Sequence, residues 1–179
     1  MIENFVKGRT DVFIDASNVY HSYKTLGWKI DYVKLKSYLE RDTDLGRIYF
    51  YTAYDPEYPK QRKFLDFLEM TGYFVRKKEV KFIKDRQSER GGFHKGNLDV
   101  ELTIDAVDQK DQFQSFVLFS GDSDFAALLR YMRERSKNCV VVSSKDHVSV
   151  ELLRQAKYID LKRLEKDIAA GGLHKKESP

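Results

Sequence analysis

The sequence is poor in the features that mark secreted domains and membrane proteins. Its 179 residues include one cysteine, Cys139, so no disulfide can form within the chain. Cys139 opens an apolar run that continues to Val142, which is typical of a buried small hydrophobic residue. No stretch approaches ~18 consecutive apolar residues, the length that spans a membrane. Met1 to Lys7 lack the apolar segment of a signal peptide. We therefore expect a cytoplasmic protein without membrane association.

Proline is also scarce, and two of the three prolines, Pro56 and Pro59, fall in one turn. The hydrophobic fraction of 41% is enough for a core in a chain of this length. We expect one domain over residues 1–170. The few apolar residues after position 170 predict a disordered tail over 171–179.

The charge is balanced overall but unevenly distributed. The net charge of +4, from 32 basic and 28 acidic residues, is weak support for a nucleic-acid partner. Between Arg76 and Lys95, however, there are eight lysines and arginines against three acids, and the segment that follows reverses the sign with Asp99, Glu101, Asp105, Asp108 and Asp111. A basic region beside an acidic one suits a phosphate substrate brought to metal-binding carboxylates.

Short apolar runs alternate with segments of helical periodicity along the chain. Strands are predicted over 11–14, 47–54, 73–75, 116–119, 140–142 and 158–160. One helix is predicted from about residue 17, and a second is predicted after an N-cap at Asp31. Further helices are predicted over 60–70, 98–107, 125–134 and 150–156. The third strand either extends further or pairs with 80–83, and 84–94 reads as an exposed loop. This alternation predicts an α/β protein, a three-layer α/β/α sandwich with a mostly parallel central sheet.

Aspartates follow the ends of two predicted strands and begin one predicted helix. Asp15 ends the first strand, Asp122 and Asp124 lie in the turn after the strand at 116–119, and Asp99 lies near a helix start. Ligands of such sheets bind beyond the carboxyl ends of the strands. We therefore expect these four carboxylates to converge at one edge of the sheet.

Convergent carboxylates repel each other unless a cation neutralises them. Oxygen ligands suit Mg²⁺ or Mn²⁺. The four histidines are scattered, and no Cys/His spacing indicates zinc. Hydrolysis of a phosphodiester by metal-activated water is the chemistry that such a site favours.

Three motifs resemble one known family. Asp15-Ala-Ser-Asn18 resembles the Asp-x-x-Asn opening of NYN domains, and Lys95-Gly-Asn-Leu-Asp99 resembles their Lys-Gly-x-x-Asp motif. Ser120-Gly-Asp-Ser-Asp-Phe125 is similar to their Ser-Gly-Asp-Ser-Asp-Phe turn. The motifs occur in the family's order and cover roughly residues 10 to 160. Among NYN domains, the sequence is most similar to the bacterial LabA-like group.

The resemblance implies a PIN-like, Rossmann-like topology with strand order 3-2-1-4-5 and an Mg²⁺- or Mn²⁺-dependent ribonuclease. It implies that the catalytic, metal-binding acids are Asp15, Asp99, Asp122 and Asp124. It further implies that Asn18 positions a ligand or water and that Lys95 contacts a phosphate.

Other roles at this site stay open on the residues alone. Asp15, Asp122 and Asp124 could instead cap helices. Ser120 and Ser123 are either ordinary turn residues or organise water and metal, and Asp105 could support the metal site or bond to the first strand.

The basic and aromatic side chains near these motifs also have two interpretations. Lys95, Arg90 and Arg86 either contact RNA or form a solvated loop. Tyr20, Tyr23 and Trp28 could stack on a base, but packing in the core is the favoured interpretation.

Two further functions compete with the ribonuclease. One is a catalytically weak RNA-binding or regulatory protein that keeps the fold. The other is a phosphatase or a structure-specific DNA nuclease. The sequence does not choose between a monomer and a homodimer, and specificity could come from a protein partner.

Overall fold

The computed structural model describes residues 1–84 and 92–171. Six parallel strands form one central sheet. They are β1 (Arg9–Asp15), β2 (Asp44–Tyr54), β3 (Phe74–Glu79), β6 (Ser115–Phe119), β7 (Asn138–Ser143) and β8 (Lys157–Asp160). Their order in the sheet is β3-β2-β1-β6-β7-β8. Counted within this sheet, the order is 3-2-1-4-5-6, so the expected order is confirmed and a sixth strand extends it.

The helices lie on both faces of the sheet, as the sequence predicts. They are α1 (Ala16–Leu26), α2 (Tyr32–Asp42), α3 (Pro59–Met70), α4 (Asp99–Asp108), α5 (Ala126–Glu134), α6 (Val150–Leu153) and α7 (Glu165–Ile168). Asp31 caps α2 as predicted, because its carboxylate accepts hydrogen bonds from the backbone amides of Val33 and Lys34. In the described ranges, no helix is long and apolar enough to cross a bilayer.

Alternate residues of the central strands enter different hydrophobic cores. On β1, Val12 and Ile14 pack with α1, α2, α3 and α7, whereas Phe13 faces α4, α5 and α6. All three side chains are fully buried. This burial on both faces explains why the strands read as short continuous apolar runs. The three-layer α/β/α sandwich is thus confirmed.

The region after β3 corrects one prediction. Part of the predicted loop over 84–94 forms strands instead, β4 (Lys81–Lys84) and β5 (Gly92–Lys95), which pair in antiparallel orientation as a separate two-stranded sheet. Hydrogen bonds between antiparallel strands join backbone groups and require no run of apolar side chains. The polar composition of this segment therefore led to the wrong prediction of a loop. β4 pairs with β5 rather than with β3. Residues 85–91, and 172–179 of the predicted tail, lie outside the described part of the chain.

Candidate metal centre

The candidate site lies where two adjacent strands end. β1 and β6 run in parallel register, with Ile14 beside Phe119, so Asp15 and Ser120 emerge side by side at the carboxyl edge of the sheet. The 3₁₀ turn Ser123–Phe125 begins three residues after the end of β6, once Ser120, Gly121 and Asp122 have been passed. The sheet alone therefore brings the first and third sequence motifs together.

Asp15 combines two roles that the sequence left as alternatives. One carboxylate oxygen, Oδ1, accepts hydrogen bonds from the backbone amides of Ser17 (3.1 Å) and Asn18 (3.3 Å) and thereby caps α1. The other, Oδ2, accepts a hydrogen bond from the Ser120 hydroxyl at 3.0 Å. This second bond joins the end of β1 to the end of β6 and fixes Asp15 at the wall of the site.

Asp122 and Asp124 share the turn after β6. The Oδ1 atom of Asp122 accepts a hydrogen bond from the backbone amide of Asp124 at 3.0 Å, which makes Asp122 the N-cap of the 3₁₀ turn. Asp122 is half-buried, whereas Asp124 is exposed. Capping does not remove Asp122 from the site, because its remaining oxygen is not used by the cap.

Asp99 is the first residue of α4 and is held by a neighbour that our sequence interpretation left unassigned. Asn97 donates from Nδ2 to Asp99 Oδ2 at 2.6 Å, and its Oδ1 accepts from the backbone amide of Asp99 at 2.7 Å. This reciprocal pair orients the carboxylate before the helix begins. An Asn two residues ahead of a helix-start Asp is the sequence signal for such a turn.

Three of the four predicted acids form a compact group. Asp99, Asp122 and Asp124 each offer a carboxylate oxygen, and these oxygens lie within 4.8 Å of one another. Asp15 stands beside this group rather than within it. Burial raises the pKa of Asp99, and the charges of Asp122 and Asp124 raise it further. Burial also raises the pKa of Asp15, with an added contribution from Asp99. Among the described residues, no positive charge is a cause of either shift.

A pocket of about 280 Å³ opens between these acids. Its walls come from the ends of β1 and β2, the start of α1 and the segment before α4; among the lining residues are Asp15, Asn18, His21, Tyr51, Asn97, Asp99 and Asp122. His21 was not predicted at the site. It lies one helical turn after Asn18, and this i, i+3 spacing places both on one face of α1, which is the signal that could have identified it.

Two motif glycines permit close backbone approach around the pocket. A Cβ atom on Gly96 would lie 2.4 Å from the Cβ of Ala53, so glycine lets the segment before α4 contact the end of β2. A Cβ on Gly121 would lie 2.0 Å from the carbonyl oxygen of His147. Any larger residue at either position would push a wall of the site outward.

The four predicted supporting residues differ in their burial and in their hydrogen-bond partners. Asn18 accepts a hydrogen bond from the backbone amide of Gly121 at 2.8 Å, and Ser120 is buried and bonded to Asp15. Ser123 is exposed. Asp105 lies on α4 outside the compact acid group and bonds to neither strand backbone nor site acid among the described contacts. Instead it accepts hydrogen bonds from the hydroxyl of Tyr51 (3.0 Å) and Nε of Arg76 (2.8 Å).

Two of the three residues predicted to contact RNA lie in the part of the chain that the structure does not describe. Arg86 and Arg90 lie outside the described residues, and Lys95 is the last residue of β5. The basic residues on β3 are described. Arg76 pairs with Asp105, Lys77 with Glu69 and Lys78 with Glu101. Those three charges therefore neutralise acids of the protein itself.

The aromatic residues after the first motif divide between core and surface. Tyr23 and Trp28 are partly buried against the core, as expected. Tyr20 is not a core residue, because 60% of it is exposed. It lies on a solvent-accessible part of α1, and helical periodicity alone did not distinguish this position from a core position.

Comparisons with known proteins bear on the family and the fold of the chain. The chain is 34% identical over 161 residues to the "Low amplitude and bright protein LabA" of Synechococcus elongatus, which covers 88% of this chain and 86% of that protein. A crystal structure of a Vibrio parahaemolyticus protein of unknown function has the same fold, with a TM-score of 0.73 and 24% identity over 92% of this chain and 97% of that one. The family model of the NYN domain matches residues 9–162, and the chain therefore belongs to the NYN domain family.

Proposed function

We propose that this protein is an Mg²⁺- or Mn²⁺-dependent endoribonuclease that hydrolyses RNA phosphodiester bonds at the aspartate cluster. The observation that carries the proposal is the approach of Asp99, Asp122 and Asp124 to within 4.8 Å, beside Asp15 at a pocket in the carboxyl edge of the sheet. Carboxylates held so close destabilise a protein unless a cation binds between them. The close approach of the acids therefore indicates that the site binds a cation, because it does not stabilise the fold by itself.

The donor set fits a hard divalent cation. Asp99, Asp122 and Asp124 would hold the cation, and Asp15 would complete the set or hold a water at its edge. All four provide carboxylate oxygen, and within the described part of the chain no cysteine or histidine joins the compact group, which favours Mg²⁺ or Mn²⁺ over Zn²⁺. A cation bound there would activate water for attack on phosphorus and neutralise charge that develops on the phosphate.

The remaining residues keep the acids in position. Ser120 donates to Asp15, Asn97 donates to Asp99, and Asn18 holds the turn that carries Asp122. Such contacts fix the carboxylates before the substrate arrives, so little reorganisation is needed during reaction. His21 lies at the pocket wall, where its ring can donate a hydrogen bond to a substrate oxygen. The choice of RNA as substrate rests on the family resemblance.

The direct test is a cleavage assay on labelled single-stranded RNA and on DNA of the same sequence. The purified protein is incubated with Mn²⁺, Mg²⁺ or EDTA, beside Asp122→Asn and the Asp15→Asn/Asp122→Asn double variant. These substitutions remove charge but little volume, and Asn at position 122 retains the oxygen that caps the turn. Asp108→Asn, at the far end of α4 from Asp99, is the matched control.

We expect RNA cleavage that needs metal, survives in Asp108→Asn and is lost in both site variants. Equal cleavage of DNA would replace the RNA assignment with a general nuclease. Metal binding without cleavage of either substrate would contradict the enzymatic proposal and favour a binding or regulatory role. Cleavage that persists in the double variant would place the chemistry elsewhere in the protein.

A further inference from the structure

A second, larger groove adjoins the acidic pocket. It has a volume of about 820 Å³ and runs between α1 and α3 across the carboxyl end of β2. The two cavities share five lining residues, namely Ser17, His21, Thr52, Ala53 and Gly96. Because their walls are shared, a chain that entered the groove would continue directly to the aspartate cluster.

Aromatic side chains dominate this groove. Tyr20 and Tyr23 line it from α1, with ring centroids 6.1 Å apart, and Phe64 lines it from α3. Tyr32 and Phe50 are buried beneath Phe64, at 5.7 and 6.1 Å from its ring. We refer to these five rings and the space between them as the aromatic groove. Tyr32 and Phe50 form its buried base, while Tyr20 and Phe64 are accessible to solvent.

Two rings of the aromatic groove are accessible to solvent. Tyr20 is 60% exposed and Phe64 is 38% exposed. Single exposed apolar residues are common on protein surfaces, but here the accessible rings belong to one concave surface beside a polar site. A ligand with flat faces would bury these two rings by stacking on them. The loss of side-chain conformational entropy would be small, because aromatic side chains have few rotatable bonds.

Lys29 adds a positive charge to the lining of the groove. The neighbouring acidic pocket, by contrast, is negative and needs a cation before it can accept an anion. A ligand that combines flat apolar faces with regularly spaced negative charges fits both cavities: its faces stack on the rings, and its charges meet Lys29 and the cation. Nucleic acid in single-stranded form has this chemistry.

We propose that the aromatic groove binds one or two unpaired bases of the strand whose phosphodiester lies at the aspartate cluster. The proposal rests on the proposed nuclease function and names the surface of this chain that would recognise an unpaired strand. Bases within a duplex are stacked on one another, so they cannot present a face to Tyr20 without unpairing. The groove is thus a selectivity device that accepts a strand only where it is not paired.

The test measures binding apart from cleavage. Asp122→Asn is used as the common background so that RNA remains intact, and affinities are measured by fluorescence anisotropy in Mg²⁺. The RNAs are an unpaired strand, the same strand annealed to its complement, and the unpaired strand with adjacent bases removed to leave abasic sites. Within this background Tyr20 is changed to Leu, which keeps apolar bulk, or to Phe, which keeps the ring.

Phe67→Ala is the matched control outside the groove. Phe67 lies on α3, as Phe64 does, and is similarly exposed at 44%, but it does not line the groove. Because Tyr20 is largely exposed, its substitution leaves the hydrophobic core unchanged, and equal thermal midpoints of all variants verify this.

We expect the unpaired strand to bind at least tenfold more tightly than the duplex. Tyr20→Leu should weaken binding of the unpaired strand by about tenfold, whereas Tyr20→Phe and Phe67→Ala should not. Removing bases should weaken binding to the background protein by a similar factor but have little further effect on Tyr20→Leu, because both changes remove the same stacking contact.

Equal affinity for unpaired and duplex RNA would overturn the inference, as would Tyr20→Leu binding as tightly as the background protein. Failure of the nuclease proposal gives a different result. In that case the protein with Asp122 intact would not cleave RNA in any metal, yet Tyr20-dependent binding of unpaired RNA would persist and support the aromatic groove on its own.

Discussion

The carbonyl oxygen of the Asn18 side chain accepts a hydrogen bond from the backbone amide of Gly121 at 2.8 Å. These residues are more than a hundred positions apart in sequence and belong to different motifs of the family. Their bond ties the first turn of α1 to the turn after β6. The acids carried by these two turns, Asp15 and Asp122, are therefore held at a fixed separation by a contact that involves neither of them.

We expect Asn18→Ala to lower metal-dependent cleavage by about 100-fold, since a shift of about 1 Å in a catalytic group has an effect of this size. The free energy of unfolding should fall by about 1–2 kcal/mol, because the Gly121 amide loses its partner. Single-turnover cleavage and denaturant unfolding measure the two effects. Asn18→Asp, which retains an acceptor oxygen, should lose less stability than Asn18→Ala. A fully active Asn18→Ala variant would show that the tether is dispensable.

Most of the fold and the principal acids could be predicted because both depend on local signals. The buried strands read as short apolar runs, and residues after them must lie at the carboxyl edge of a parallel sheet. This reasoning predicts the six-stranded sheet and the convergence of Asp99, Asp122 and Asp124. The same reasoning does not predict that Asp15 lies beside the other three acids rather than among them, because this position depends on the direction of a side chain that caps a helix.

What the sequence did not predict depends on contacts between distant segments. Asn97 is a site residue only because the segment before α4 turns back upon Asp99. The C-terminal α7 was not predicted, because its four residues make little more than one helical turn and show no repeating pattern. Its packing identifies it, since Asp31 donates its backbone amide to the carbonyl of Ile168. Tyr20 was assigned to the core, since periodicity shows that a helix has two faces but not how widely each is covered.

Asp124 offers a separate test of the repulsion among the acids. It is the exposed member of the compact group, so Asp124→Asn should remove repulsion without creating a cavity. We expect this variant to be more stable than the parent protein in EDTA, by a few tenths of a kcal/mol to about 1 kcal/mol. In millimolar Mn²⁺ the order should reverse, because the parent protein gains more from binding. Thermal unfolding with and without Mn²⁺ measures both.

Asp108→Asn controls for the loss of one negative charge from the protein surface. It should change the thermal midpoint little in either condition. If Asp124→Asn and the parent protein respond identically to Mn²⁺, Asp124 does not contribute to the metal site.

Asp105 should act through Tyr51 rather than by binding the cation. Tyr51 lines the acidic pocket and donates its hydroxyl to Asp105, which is also paired with Arg76. Asp105→Ala should therefore lower stability by about 1–2 kcal/mol, because the largely buried Tyr51 hydroxyl loses its acceptor. Cleavage should decrease moderately while the affinity for Mn²⁺ stays unchanged. Calorimetric titration separates the two roles: an affinity loss as large as that of Asp99→Asn would make Asp105 a ligand.

Asp11 places a buried carboxylate four residues before Asp15 on β1, away from the carboxyl edge. Only 1% of the residue is exposed. Its Oδ1 accepts a hydrogen bond from the backbone amide of Arg47 at 2.9 Å, whereas Oδ2 has no partner in the described ranges. Burial is the main cause that raises the pKa of this carboxyl, and the amide bond and the charges of Arg9 and Arg47 only partly offset it.

The stability of the protein should therefore depend on the ionisation of Asp11 in a specific direction. Because the folded-state pKa is raised, the protonated carboxyl stabilises the fold fully below the unfolded value of about 3.9, and this contribution is lost as pH rises through the folded-state pKa. Asp11→Asn resembles the protonated form at every pH and keeps the oxygen that bonds to Arg47. The free energy of unfolding of the variant, relative to the parent protein, should thus increase from pH 3 to pH 7 in urea titrations. A difference that stays constant across this range would show that Asp11 has the same pKa in the folded and unfolded states, and a difference that decreases would mean that ionised Asp11 stabilises the fold.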